Sequence, residues 1–179
     1  MKHFVVLIAL SIVFFSCEKG EFNQPNIIYI LADDMGYGDV SALNENSKII
    51  TPNIDRIADE GMTFFDAHTN SSVCTPTRYG ILTGRYAWRT RMKNGVLQGH
   101  SDHLIDMDRE TVASFLKKQG YTTAVVGKWH LGMDWTSNDS LEVHAPTGSN
   151  VDFSIPAKNG PLDIGFDYYF GISASLNMV

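Results

Sequence analysis

Cysteine is scarce in this chain, with two in 179 residues. Two thiols cannot supply the dense cross-linking that holds small secreted scaffolds together, so the fold has to rest on an apolar core. No apolar run reaches the roughly 20 residues that span a bilayer; the stretch from Phe4 to Phe15 stops short of it. Positive charge is also in deficit. Fourteen Lys and Arg face twenty Asp and Glu, for a formal net charge of −6. There is no basic run with interleaved aromatics, which argues against a nucleic-acid partner. Internal repeats are missing too, which sets aside solenoids and propellers. Hydrophobic residues make up 44%, enough for one core and too ordinary for a disordered or fibrous chain.

The amino terminus reads as a targeting segment. Met1-Lys2-His3 is a short basic region, Phe4 to Phe15 an apolar one, and Ser16-Cys17 follows. Residues 1–16 are therefore expected to be a secretory signal peptide. A cysteine directly after a small residue resembles a bacterial lipoprotein cleavage site. On that reading Cys17 takes lipid and residues 17–25 form a polar tether. The protein is then exported to the periplasm, or to the outer membrane or cell surface, held to the membrane through Cys17. An ordinary signal peptide or signal anchor is the alternative, because Phe14 and Phe15 sit where Leu and a small residue are commoner. If Cys17 is acylated, Cys74 is the sole thiol of an exported protein and is flagged as reactive; a Cys17–Cys74 disulfide is the competing reading.

Further along, Asn26 to Ala32 is a β-branched apolar run expected to be a strand buried on both faces. It ends at Asp33-Asp34, and Gly36 and Gly38 mark a loop. Thr51-Pro52 predicts a helix start, with Ile54, Ile57 and Ala58 on one face and Gly61 as the stop. Met62 to Ala67 is a candidate second strand. Asp108 is the expected cap of a later helix carrying Val112, Phe115 and Leu116, stopped by Gly120. Tyr121 to Val126 predicts a strand running into Gly127-Lys128-Trp129-His130. Ser, Asn, Gly, Pro and Asp dominate Asp134 to Gly160, read as a long surface loop or lid. Strands alternating with helices predict an α/β fold: a mostly parallel, mixed sheet flanked by helices. Sites in such sheets form beyond the carboxyl ends of strands. That places Asp33-Asp34, Lys128 and His130 at one sheet edge.

The most informative run is Cys74-Thr75-Pro76-Thr77-Arg78, continuing to Thr83-Gly84-Arg85. Pro76 suits the first turn of a helix and Gly84 its end. Cys74 then lies at the helix N-terminus with Arg78 one turn later on the same face. An anion beside Cys74 would meet free backbone N–H groups, the positive end of the helix dipole and a guanidinium. Asp33 and Asp34 are adjacent carboxylates that repel unless something positive sits between them, and a hard divalent cation does that. Lys128 and His130 are two apart at a strand end and face the same way.

At these residues the chain resembles the sulfatases of the alkaline-phosphatase-like superfamily, whose signature is Cys (or Ser)-x-Pro-x-Arg followed by Thr-Gly-Arg. Thr77 departs mildly from the Ser or Ala usual after the proline. The resemblance extends from Pro25 to Val179, including Gly165 to Gly171. It implies the alkaline-phosphatase-like sulfatase fold, present incompletely: residues 26–179 match the N-terminal part of a catalytic domain, truncated. It also implies conversion of Cys74 to formylglycine by a maturation enzyme. The residues matching the family's catalytic set are Cys74, Arg78, Lys128 and His130. Those matching its Ca²⁺ (or Mg²⁺) ligands are Asp33, Asp34 and Cys74 in its modified form. The family's later metal ligands, an Asp and an Asn or Gln, and its later leaving-group Lys and His have no evident counterpart. In the family, Lys128's counterpart contacts sulfate and formylglycine, His130's bonds the formylglycine hydroxyl, and Arg78's holds the hydrated aldehyde. One aldehyde-hydrate hydroxyl attacks sulfur, and the other allows the sulfate ester to collapse and release sulfate, an exit a serine lacks.

The implied reaction, for the full-length parent and not for these 179 residues alone, is hydrolysis of a sulfuric ester on a sulfated carbohydrate or aryl sulfate. Competing readings are a catalytically inactive fragment, a non-enzymatic surface lipoprotein, and a related metal-dependent phosphodiesterase. A cysteine phosphatase would carry arginine six positions after its cysteine, where this chain has Gly80. A Cys74/His130 hydrolase gives no reason for Pro76, Arg78 or Asp33-Asp34. Arg85 is expected to support the Cys74 helix and its loop. Trp88, Arg89, Arg91, His100 and His103 either line a sulfated-sugar cleft or serve as solvated and packing residues; Trp129 reads as core.

Overall fold

The computed structural model describes residues 24–175. The expected signal segment 1–16, Cys17 and all but the end of the expected tether lie outside them. Among the described residues three α-helices are present: α1 (Pro52–Glu60), α2 (Cys74–Thr83) and α3 (Val112–Lys118). Two strands, β1 (Ala124–Lys128) and β2 (Tyr168–Ile172), pair in parallel with Ala124 opposite Tyr168 and Lys128 opposite Ile172. One pair before that end Gly127 faces Gly171, where a Cβ on Gly171 would strike the Gly127 carbonyl. The α/β class and the parallel pairing agree with the sequence reading.

Local sequence explains each helix. Pro52 occupies the first turn of α1 and Gly61 ends it, although Ile54 and Ile57 stay exposed. In α2, Gly84 takes φ 63° and donates its N–H to the Gly80 carbonyl, the left-handed stop expected there. For α3 the cap is Thr111 instead of Asp108. Thr111 Oγ1 accepts from Ser114 N (3.0 Å) while Ser114 Oγ accepts from Thr111 N (2.9 Å). This reciprocal box satisfies two backbone donors at once, whereas Asp106 to Arg109 close a turn of their own. Val112 and Phe115 face solvent and Ala113 is the buried residue of α3.

Two predicted strands are not formed. Residues 26–32 have no ladder partner among the described residues and are exposed, Ile28 to 84%; residues 62–67 likewise form no strand. A buried strand needs neighbours for its backbone groups, and here the apolar pattern lacks them. β1 also starts three residues later than expected. The Asp134–Gly160 segment is irregular but tied down by antiparallel bridges Asp134–Lys158 and Ser137–Val151.

The core lies between α2, residues 87–105, residues 129–133 and the approach to β2. Tyr79, Leu104, Ile105, Trp129, Leu131 and Phe166 are its main members. Trp129 donates Nε1–H to the Gly132 carbonyl (2.9 Å) and meets Phe166 edge-on, which satisfies its polar atom inside the core.

Candidate functional site

α2 delivers two side chains to one point. Cys74 opens the helix as a free thiol, and Arg78 sits one turn on. The loop before α2 is fastened to it: Asn70 Nδ2 donates to the Pro76 carbonyl (2.7 Å) and Thr77 Oγ1 donates to the Ser71 carbonyl (2.7 Å). Gly80 makes room for this, since a Cβ there would overlap the Asn70 amide.

The other side chains arrive from far away in sequence. Lys128, the last residue of β1, places Nζ 2.8 Å from Asp33 Oδ2 and 3.2 Å from Cys74 Sγ. Arg78 donates to the same Asp33 oxygen (3.2 Å) and to the Lys128 carbonyl (2.6 Å). One carboxylate oxygen thus receives two cations. The Lys128 hydrogen bond is the main force holding the Asp33 carboxyl below its usual range, opposed by partial burial and aided by the Arg78 charge. Burial pulls the Lys128 ammonium down, but Asp33 and Cys74 outweigh it and its pKa ends above the ordinary lysine value. Both groups are charged at neutral pH.

His130 is 1% exposed and stands in the left-handed region at φ 57°. Its Nε2 lies 2.8 Å from the Leu97 carbonyl, which can only accept, so the ring proton is on Nε2. Nδ1 is buried without a partner and is a bare acceptor in the neutral ring. Desolvation pushes its pKa below the ordinary histidine value, and the nearby Lys128 and Arg78 charges add to this. The Leu97 N–H in turn bonds the buried Thr75 hydroxyl of α2 (3.2 Å). Leu97 therefore couples His130 to the helix that carries Cys74. No side-chain pattern announces a backbone carbonyl in this role; Thr75, inside the motif, was the one available sign.

Asp34 follows Asp33 with φ 60°, a left-handed non-glycine backbone of the kind that costs about 1–3 kcal/mol and concentrates at functional sites. A cavity of about 300 Å³ is lined by Asp33, Asp34, Ser71, Val73, Cys74 and Arg78 among others. Its two carboxylates are hard oxygen donors suited to Ca²⁺ or Mg²⁺ in kind. Among the described residues no group of three or more His, Cys, Asp or Glu side chains converges to hold an ion. The structure thus brings together Asp33, Cys74, Arg78 and Lys128 by direct contact, with Asp34 on the same cavity, while the buried His130 ring is held by Leu97 and does not line that cavity.

The remaining sequence candidates separate. Arg85 donates to the Arg89 carbonyl (3.1 Å) and braces the loop after α2. His100 is buried against Trp135 and Phe153. His103 pairs with Asp134 (2.6 Å), and Arg91 donates to the Asp102 and His103 carbonyls. Trp88 and Arg89 stay on the surface.

A cysteine at a helix N-terminus with an ammonium, a guanidinium and a carboxylate around it is chemically suited to receive a tetrahedral oxyanion. The sulfatase family model matches residues 25–178, and the chain belongs to the sulfatase family. It is 42% identical over 163 residues to the N-acetylgalactosamine-6-O-sulfatase of Bacteroides thetaiotaomicron, covering 90% of this chain and 29% of that protein. It is 39% identical over 161 residues to human steryl-sulfatase, covering 87% of this chain and 25% of that protein. Among solved structures, one from the metabolism of multiple glycosaminoglycans by Bacteroides thetaiotaomicron matches with TM-score 0.73 and 42% identity, over 87% of this chain and 29% of that one. Ps i-CgsB in complex with k-i-k-neocarrahexaose matches with TM-score 0.60 and 28% identity, over 80% of this chain and 27% of that one. The chain thus spans about a quarter to three-tenths of the length of these relatives.

Proposed function

We propose that the protein acts in hydrolysis of sulfate esters on a sulfated glycan, with Cys74 as the precursor of a formylglycine nucleophile. The observation that carries this reading is the convergence of Lys128 on Asp33 and Cys74, at 2.8 and 3.2 Å. A relative named N-acetylgalactosamine-6-O-sulfatase and a structural neighbour in complex with k-i-k-neocarrahexaose support a sugar as the carrier of the sulfate. An aryl sulfate is the alternative substrate.

A sulfate ester carries negative charge before reaction and develops more on its leaving oxygen. Lys128 and Arg78 meet that charge in fixed positions, with no reorganisation needed at the moment of reaction. The α2 N-terminus adds backbone N–H groups and a dipole of the same sense. His130, kept as a neutral ring with its Nε2–H on the Leu97 carbonyl, is assigned by resemblance alone the role of bonding a hydroxyl of the residue at position 74. Asp33 fixes the two cations against each other before substrate enters. Asp33 and Asp34 would contribute to holding Ca²⁺ or Mg²⁺, which when bound offsets charge on sulfuryl oxygens and lowers the pKa of a coordinated hydroxyl. Formylglycine supplies a hydrated aldehyde with two hydroxyls in place of one thiol.

Export with a lipid on Cys17 belongs to the same proposal, supported by the basic, apolar and small-residue order of residues 1–17. Labelled fatty acid incorporated in the wild type and lost in Cys17→Ser checks it. For the chemistry, peptide mass spectrometry after co-expression with a formylglycine-generating enzyme should find Cys74 without its sulfur. Inorganic sulfate release from a 6-sulfated N-acetylgalactosamine should vanish in Cys74→Ala. An intact thiol together with undiminished hydrolysis would refute the assignment.

A further inference from the structure

α2 presents two neighbouring faces with different tasks. Cys74 and Arg78, one turn apart, line the cavity. Thr75 and Tyr79, also one turn apart, are fully buried and turn into the core. A hydroxyl in such a place needs a hydrogen-bond partner. Thr75 Oγ1 accepts from the Leu97 N–H at 3.2 Å. Leu97 is itself buried, and its carbonyl accepts from His130 Nε2 at 2.8 Å.

Leu97 is therefore gripped through both of its backbone polar groups, one by α2 and the other by the imidazole. The chain turns in at Gly95, with φ 70°, and leaves at Gln98, whose N–H donates to Ser101 Oγ (2.9 Å). On the other side, His130 has little freedom to follow a carbonyl that moves. Its backbone stands at φ 57°, and its N–H is committed to the Ser173 carbonyl (2.8 Å). Its Nδ1 has no partner, so the Leu97 carbonyl is the ring's one hydrogen bond among the described residues. Thr77 in the same helix makes a different bond: its Oγ1 donates to the Ser71 carbonyl (2.7 Å) and holds the loop before α2.

We infer that Thr75 is a positioning residue: acting through Leu97, its hydroxyl fixes the orientation and the Nε2–H tautomer of His130. One turn of α2 then carries Cys74 on one face and the anchor of the histidine on the next, so the two are set by the same backbone. The consequence for turnover rests on the sulfatase reading above; the relay from Thr75 to His130 does not.

The test follows the His130 Nε2–H by NMR at neutral pH in the 179-residue chain labelled with ¹⁵N-histidine. The wild type should show one tautomer with a slowly exchanging Nε2–H. Thr75→Val keeps the shape and removes the acceptor, and exchange should accelerate about tenfold. Thr75→Ser should restore protection. Thr77→Val, which breaks a hydrogen bond of α2 without touching Leu97, should leave exchange within about twofold. If Thr75→Val does not fold, Thr75→Cys, with a weaker acceptor, should accelerate exchange about threefold. Unchanged exchange in the folded Thr75 variant, or equal acceleration in Thr77→Val, overturns the relay. In sulfate release, Thr75→Val should lower kcat about tenfold with KM within about twofold. An unchanged kcat beside accelerated exchange would overturn the residue's part in the reaction. A protected, Thr75-dependent Nε2–H in a wild type that releases no sulfate would overturn the sulfatase reading and leave the relay standing.

Discussion

Residues 27–31 and 129–133 are apolar stretches of equal length with opposite environments. Ile27 to Leu31 are all exposed, while Trp129, His130, Leu131 and Met133 are all buried. Hydrophobicity does not separate them, since Ile-Ile-Tyr-Ile-Leu is the more apolar run. Backbone partners do. Trp129 N and His130 N donate to the Ile172 and Ser173 carbonyls, Leu131 O accepts from Leu104, and Met133 N donates to Ser101. Residues 27–31 have no strand beside them among the described residues. Burial follows where peptide groups can be satisfied. Yet each stretch leads to the same cluster, one through Asp33 and the other through Lys128 and His130. The site joins a well-packed region to one fastened chiefly by ion pairs.

The largest break in that comparison comes from removing the fastening on the packed side. Lys128→Ala takes away the ammonium shared by Asp33 and Cys74, and sulfate release should fall by on the order of 10²–10³, read as kcat under saturating substrate. Asp33→Asn should also impair turnover, because it frees Arg78 and Lys128 from their common anchor (3.2 and 2.8 Å). An Asp33→Asn variant with wild-type kcat would show that the cations are positioned without it.

Next in size is a stability contrast. Leu131 is 1% exposed, and Leu131→Ala should cost about 2–5 kcal/mol in denaturant unfolding. Ile30, at 77%, should change stability by less than about 0.5 kcal/mol on the same substitution. Similar losses at the two positions would mean that 27–31 is covered in solution.

The same contrast marks how far the sequence could be read. The Cys74 helix was legible because its signals are local: a proline in the first turn, a glycine at the left-handed stop and a guanidinium one turn from the thiol. Lys128 stands at the end of β1 as the strand-end rule expects, but Asp33 follows no strand among the described residues, so its meeting with Arg78 and Lys128 was legible from resemblance alone. The strands at 26–32 and 62–67 were misread because strand formation depends on a partner that no local pattern encodes. The cap at Thr111 was missed for a smaller reason: Asp108 and Thr111 both precede the helix, and only the Ser114 hydroxyl distinguishes them. Leu97's carbonyl, which fixes the His130 tautomer, left no trace in side-chain chemistry.

A pH experiment sharpens the packed side further. His130 has a folded pKa below its unfolded value near 6.5. As pH falls through 6.5, the unfolded chain takes up a proton that the folded ring refuses, so stability drops until the folded pKa is reached and then levels off. His130→Asn, which keeps a donor for the Leu97 carbonyl, should flatten this window between pH 7 and the folded value. Asp33 contributes in a separate, more acidic window. Its carboxylate stabilises the fold above the unfolded value of about 3.9, and that contribution is lost as pH falls through its depressed folded value. Unfolding free energies measured in urea across pH 3 to 8 would separate the two.

The smallest effect belongs to the exposed side and carries the comparison to its end. Ile28 and Ile30 alternate with Tyr29 along a stretch that no neighbouring strand covers among the described residues. Unpaired backbone beside apolar side chains is a template for association with another chain. Ile28→Ser with Ile30→Ser should leave the unfolding free energy within about 0.5 kcal/mol, because little is buried there to lose, while reducing concentration-dependent self-association in sedimentation velocity. Asp33 should keep its contacts with Lys128 and Arg78, since those ion pairs do not pass through the isoleucines. A loss of stability beyond that range would reverse the contrast. It would place 27–31 inside a packed sheet in solution and make the ion pairs a consequence of that packing, not the fastening itself.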